Sequence, residues 1–108
     1  MPTANGRFAA TADAIAAAVL AVPGVEGLHG GARGEIATAL PGRRIAGLRL
    51  DADACAVHVA VGWDRDMRET AAAIRAALLP LTGGRTVAVT VEDIGEPSRG
   101  AFRDEDRT

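Results

Sequence analysis

Between residues 55 and 63 the chain alternates without a break. Cys55, Val57, Val59, Val61 and Trp63 share one parity; Ala56, His58, Ala60 and Gly62 share the other. This period of two predicts a strand with one apolar face and one face of small residues, over which another element can pass closely. The parity also predicts that Trp63 is buried with the valines. Asp66 then opens a helix, and Glu69 stands three residues on, where a capping box would have it. Met67, Ala71, Ile74, Leu78 and Leu81 form its predicted apolar stripe, and Pro80 with Gly83-Gly84 ends it. A last strand is predicted over 86–91, with Val87, Val89 and Val91 on one face. Strand, helix and strand in that order predict a right-handed crossover between two parallel strands.

The first half reads less regularly. Thr11 is the expected cap of a first helix, with Asp13 in its first turn, where a negative charge suits the helix dipole. Ile15, Ala18, Val19 and Val22 share one helical face before Pro23-Gly24 stops it. A short strand is expected over 25–29, then a break at Gly30-Gly31. A strand over 35–40 follows, with Ile36, Thr38 and Leu40 on one face. Leu40-Pro41-Gly42-Arg43 is a type II turn signal, because Pro presets φ at the second position and Gly accepts positive φ at the third. The return strand, 44–50, has Leu48 and Leu50 in phase and Ile45 out of phase, so Gly47 is read as a bulge. The order is therefore α-β-β-β-β-α-β. It predicts an α+β fold, a two-layer α/β sandwich whose mixed sheet carries two helices on one face. Residues 1–10 are expected to be a flexible leader, 11–95 the single domain, and 96–108 a disordered mixed-charge tail.

Composition narrows the class. The 108 residues suit one domain, and three aromatics leave the core to Val, Leu, Ile and Ala. A net charge of -2 argues against a nucleic-acid protein that works by bulk electrostatics. All basic residues are Arg. One cysteine excludes an internal disulfide framework. The apolar run at 14–22 has Asp13 at its edge and ends at Pro23-Gly24 without a clear small-x-small cleavage site, so it is not read as a signal peptide. It is also shorter than the ~20 residues of a membrane span.

Candidate chemistry is sparse. Glycines at 24, 27, 30, 31 and 34 surround His29 and Arg33. A P-loop needs a Lys, which the chain lacks, and a dinucleotide fingerprint leaves a strand and enters a helix, which this stretch does not. A helix exit and a flexible hairpin stand beside phosphate or nucleic-acid contact as its readings. Cys55 and His58 have opposite parity, so no convergent metal site is expected. Asp51-x-Asp53 reads as a turn. The only serine is Ser98, in the tail, and no base can be placed near Cys55, so no catalytic residue and no cofactor are expected. Arg33, Arg43, Arg44 and Arg49 remain, read either as a solvated face or as a contact for an anionic partner: a protein, a lipid headgroup or RNA.

Four segments carry a resemblance: V-P-G-V-E-G-L at 22–28, G-E-I-A-T-A-L-P-G-R-R-I-A-G-L-R-L at 34–50, A-V-H-V-A-V-G-W at 56–63 and V-A-V-T-V-E-D-I at 87–94. Together they resemble the bacterial alkaline-shock, or envelope-stress-response, protein family in the form found in GC-rich Gram-positive bacteria, over about residues 11–95. The resemblance implies a non-enzymatic cytoplasmic protein of envelope homeostasis, without a cofactor. It would stand at the inner face of the membrane through a protein partner, such as a small membrane protein. Self-association through an open sheet edge is also expected. The alternative is a small RNA-binding module using the Gly27–Arg44 region.

Overall fold

A computed structural model describes residues 4–31 and 33–95. The expected tail at 96–108 and the first three residues of the expected leader lie outside them. The fold is the expected α+β sandwich, with a mixed sheet on one side and two helices on the other.

The first helix is longer than its capping signals suggest. α1 spans Ala4–Leu20, so residues 4–10 are helix and not leader. Ala9 and Ala10 are strong helix formers, and Phe8 and Ala9 pack against the core. Phe8 extends the buried stripe of Ala12, Ile15 and Val19 by one turn. Thr11 is consequently inside the helix and caps nothing. Asp13 lies in mid-helix, away from the dipole's positive end.

β5 (Ala54–Gly62) is the centre of the sheet, and its residues alternate buried and half-buried as the pattern demands. Along one side β6 (Thr86–Gly95) runs parallel to its whole length, the predicted crossover product. Along the other side β1 (Val25–Leu28) and β4 (Leu48–Leu50) lie antiparallel, end to end. The junction between them is at His58. Its N–H donates to Gly47 O (2.8 Å), and its C=O accepts from His29 N (2.8 Å).

The strand expected over 44–50 divides at Gly47. Its first part, β3 (Arg43–Ala46), pairs with β2 (Ala37–Leu40) in a separate hairpin; its second part is β4. Gly47 has φ of +82°, and a Cβ there would stand 2.7 Å from His29 N and 2.7 Å from Leu28 Cβ. Only glycine lets the chain leave one sheet and enter the other at this point. Gly42, φ +76°, supplies the positive φ of the predicted hairpin turn.

Thr38 stitches the hairpin to the main sheet. Its buried hydroxyl donates to Leu48 O (2.6 Å) and accepts from Leu50 N (3.1 Å). Below lies one core of Val, Leu, Ile and Ala, in which Cys55, Val57, Val59 and Val61 are wholly buried with Leu48, Ile74 and Leu78. α2 (Met67–Leu78) begins at the predicted cap: Asp66 Oδ1 accepts from Arg68 N (2.9 Å) and Glu69 N (3.1 Å). Its buried stripe is Thr70, Ile74 and Leu78. Thr70 abuts Gly24 at the exit of α1, which leaves Met67, expected in the stripe, exposed at its margin.

Candidate interaction surface

The helices cover one face of the sheet only. On β5 the residues facing away from them are Ala54, Ala56, His58 and Ala60, and on β6 Ala88, Thr90 and Glu92. Five of those seven side chains are alanine or threonine; the other two, His58 and Glu92, pair with each other. His58 Nδ1 pairs with Glu92 Oε2, with the two side chains 17% and 28% exposed. This face is low over β5 and β6, with one polar pair near its middle, and on its β4 side Arg49, the register partner of Ala56, reaches the strap. Glu92 is carried there by a register shift between β5 and β6. Cys55 is on the opposite, buried face, as its parity requires, and burial pushes its thiol pKa up.

The glycine-rich stretch is a strap held by its own hydrogen bonds. Gly31 N donates to His29 Nδ1 (3.0 Å), Arg33 N to Glu35 Oε1 (3.0 Å), Gly34 N to Gly31 O (3.2 Å) and Ile36 N to Gly30 O (2.8 Å). The amides that would cradle a phosphate are therefore already engaged. Backbone N–H donors, its own first and that of Arg33 second, hold the Glu35 carboxyl below its usual pKa.

The structure brings three of the four candidate arginines, Arg33, Arg44 and Arg49, to the strap and turns the fourth, Arg43, to α1. Arg43 makes a bidentate bridge to Asp13 on α1, with both N–O distances 2.8 Å. That bridge, 30 positions apart in sequence, lowers the Asp13 pKa and raises that of Arg43. Arg44 Nη2 donates to Gly34 O (2.8 Å) and Arg49 Nη2 to Glu35 O (2.8 Å), so both clamp the strap. Arg33 is exposed on the strap itself. Asp51 is the predicted turn former: its Oδ1 accepts from Asp53 N and Ala54 N, both at 2.8 Å.

Trp63 departs from its predicted burial. β5 ends at Gly62, and the chain turns there with Arg65 N donating to Gly62 O (3.0 Å), so the alternation stops one residue too early for Trp63. The indole is 57% exposed. Nearby, a cleft of about 310 Å³ is lined by Pro23, Arg65, Asp66, Glu69, Thr70 and Ala73. Its Asp66 is occupied as the helix cap. Among the described residues no group of three or more His, Cys, Asp or Glu is placed to hold a metal ion. No helix among them is long and apolar enough to cross a membrane.

Fold and surface together define a small α+β sandwich with one covered and one open sheet face. No family model matches the chain, and no curated protein does. Among solved structures, MamM V260R is similar to it in fold, with a TM-score of 0.55 over 84% of this chain and 91% of that one, at 18% identity.

Proposed function

We propose that this chain is a non-catalytic interaction module that binds protein through the uncovered side of its sheet, within the alkaline-shock, or envelope-stress-response, family. The observation that carries this reading is the face over β5 and β6 that neither helix covers. All-parallel sheets are almost always covered on both faces, and a sheet face left open is more usually one of antiparallel strands. Here a fully parallel pair, nine residues long on β5, is covered on one face alone. A low surface of alanine and threonine allows another backbone to approach closely. The family assignment draws on the resemblance. Its V-P-G-V-E-G-L segment forms the exit of α1 and β1, and its P-G-R-R the hairpin turn. In this reading the protein works at the inner face of the envelope, brought there by a membrane-protein partner.

The RNA-binding alternative has less to stand on. Arg44 and Arg49 are engaged with carbonyl oxygens of the strap. Trp63 is exposed, as a stacking platform would be. However, it lies seven residues along the chain from Ala56, the register partner of Arg49, which is about 23 Å at strand spacing.

The test is crosslinked capture from the native host, membranes included, with the wild-type chain and an Ala56→Arg variant whose folding is checked by thermal melting. The expected result is one protein partner and retention in the membrane fraction, both lost in the variant. A chain that is fully soluble in every growth condition, with nothing captured, contradicts the reading. Retention of RNA in place of protein favours the alternative.

A further inference from the structure

The sheet has one long edge. β6 presents its outer side over ten residues, and among the described residues it pairs only with β5. At strand spacing that edge is about 33 Å long. The other side of β5 is filled by β1 and β4, four and three residues long, so the edge beyond them is short and broken at Gly47. Natural sheets blunt long edges with charges, Pro or bulges. The stretch T-V-A-V-T-V at 86–91 has no charge and no Pro, and the one register shift lies past it, at Glu92. Six uncharged, mostly β-branched residues on a bare edge form a template for another strand.

We propose that β6 pairs antiparallel with β6 of a second copy of this chain, joining two four-stranded sheets into one of eight strands. This rests on the reading of the chain as an interaction module and names one partner for it. Three observations select a second copy. First, a two-fold pairing uses both bare edges at once and leaves neither for a third chain, so it closes as a dimer. Second, the charges flank the stretch 86–91, with Arg85 before it and Glu92 and Asp93 after it. Arg85 is held there by Nε to Asp51 O (2.6 Å) and Nη1 to Thr82 O (3.0 Å), and Glu92 is held by His58. An antiparallel pair sets the basic end of each copy against the acidic end of the other; a parallel pair would stack like charges. Third, a two-fold axis perpendicular to the sheet pairs residues of equal parity. Half-buried Val87, Val89 and Val91 then meet the same three residues, all on the helix-covered face. Ala88 and Thr90 prolong the open face.

The test uses the purified full chain alone, so a failed capture of a host partner does not touch it. Sedimentation equilibrium gives the mass, and hydrogen exchange at high and low concentration reads the β6 amides. The expected result is a dimer in which alternate, outward-pointing amides of β6 are protected, and lose protection on dilution. The Ala88→Lys/Thr90→Lys double variant clusters lysines about the axis and is expected to be a folded monomer. Ala72→Lys, on the exposed side of α2, is expected to remain a dimer. A monomer at the highest concentration overturns the proposal. So does a dimer with exchanging outer β6 amides, or protection of those amides at monomer mass, which would mean that the chain covers its own edge. Survival of the dimer in the double variant overturns it too. Should that variant fail to fold, the wild-type mass and exchange pattern decide by the same criteria.

Discussion

Replacing Gly47 by alanine perturbs the point where the chain passes from the hairpin into the sheet. Two effects add. A non-glycine residue held at φ of +82° costs about 1–2 kcal/mol in backbone strain. The new Cβ would also stand 2.7 Å from His29 N, 2.7 Å from Leu28 Cβ and 3.0 Å from His58 O. Two of these three atoms are backbone, so the clash cannot be relieved by rotating a side chain. The strands must part, and the two 2.8 Å bonds that flank the site, His29 N to His58 O and His58 N to Gly47 O, are stretched or lost. At about 1 kcal/mol each, they bring the total to about 3–4 kcal/mol. For a domain near 100 residues that lowers the melting temperature by about 15 °C. Gly42→Ala is the matched control. Its φ is +76°, but nothing lies within 4 Å of the added Cβ, so only the strain applies. Urea unfolding followed by circular dichroism separates the two. If Gly47→Ala costs within about 0.5 kcal/mol of Gly42→Ala, the close approach of β1 at Gly47 is wrong.

Three further outcomes are expected. Thr38→Val removes the donor to Leu48 O and strands Leu50 N, so it should cost about 1–3 kcal/mol in urea unfolding, while Thr38→Ser retains most of the stability. The carboxyls of Asp13, Glu35 and Asp51 are all held below their usual pKa, by Arg43, by backbone N–H groups, and by the N–H groups of Asp53 and Ala54 respectively. Folded-state values below unfolded ones give stability that is full above about pH 5 and is lost as pH falls through the depressed values, so the melting temperature should fall below about pH 4 and fall less in Asp51→Asn. A melting curve that rises on acidification would contradict those contacts. Cys55 is wholly buried with a raised thiol pKa, so a thiol reagent should label it only at the rate of unfolding; labelling within mixing time would place it at the surface.

Legibility followed the range of the interactions. β5, the Asp66 cap, the turn at Pro41-Gly42 and the parallel crossover rest on local periodicity and turn chemistry, and they form where the pattern puts them. α1 outruns its capping signals because its first turns are held by Phe8 against the core, a tertiary contact without a capping signature. Trp63 escapes the burial its parity implies because parity holds only while a strand continues, and Gly62 ends it. The irregularity at Gly47 was legible from the phase of Ile45 against Leu48. That it divides two sheets was not, since it depends on β1 passing beside it. The arginines show the same limit: the partner of Arg43 is Asp13, and no pattern in the chain joins positions 30 apart.

In the proposed function the working surface is the sheet side and not the helix side. A photo-crosslinking residue placed in the native host at Thr90, on the open side, and separately at Ala72, on the exposed side of α2, tests it most directly. Protein adducts are expected from position 90, to a partner or a second copy, and none from position 72. Adducts confined to position 72, or absent from both under every growth condition, would contradict it.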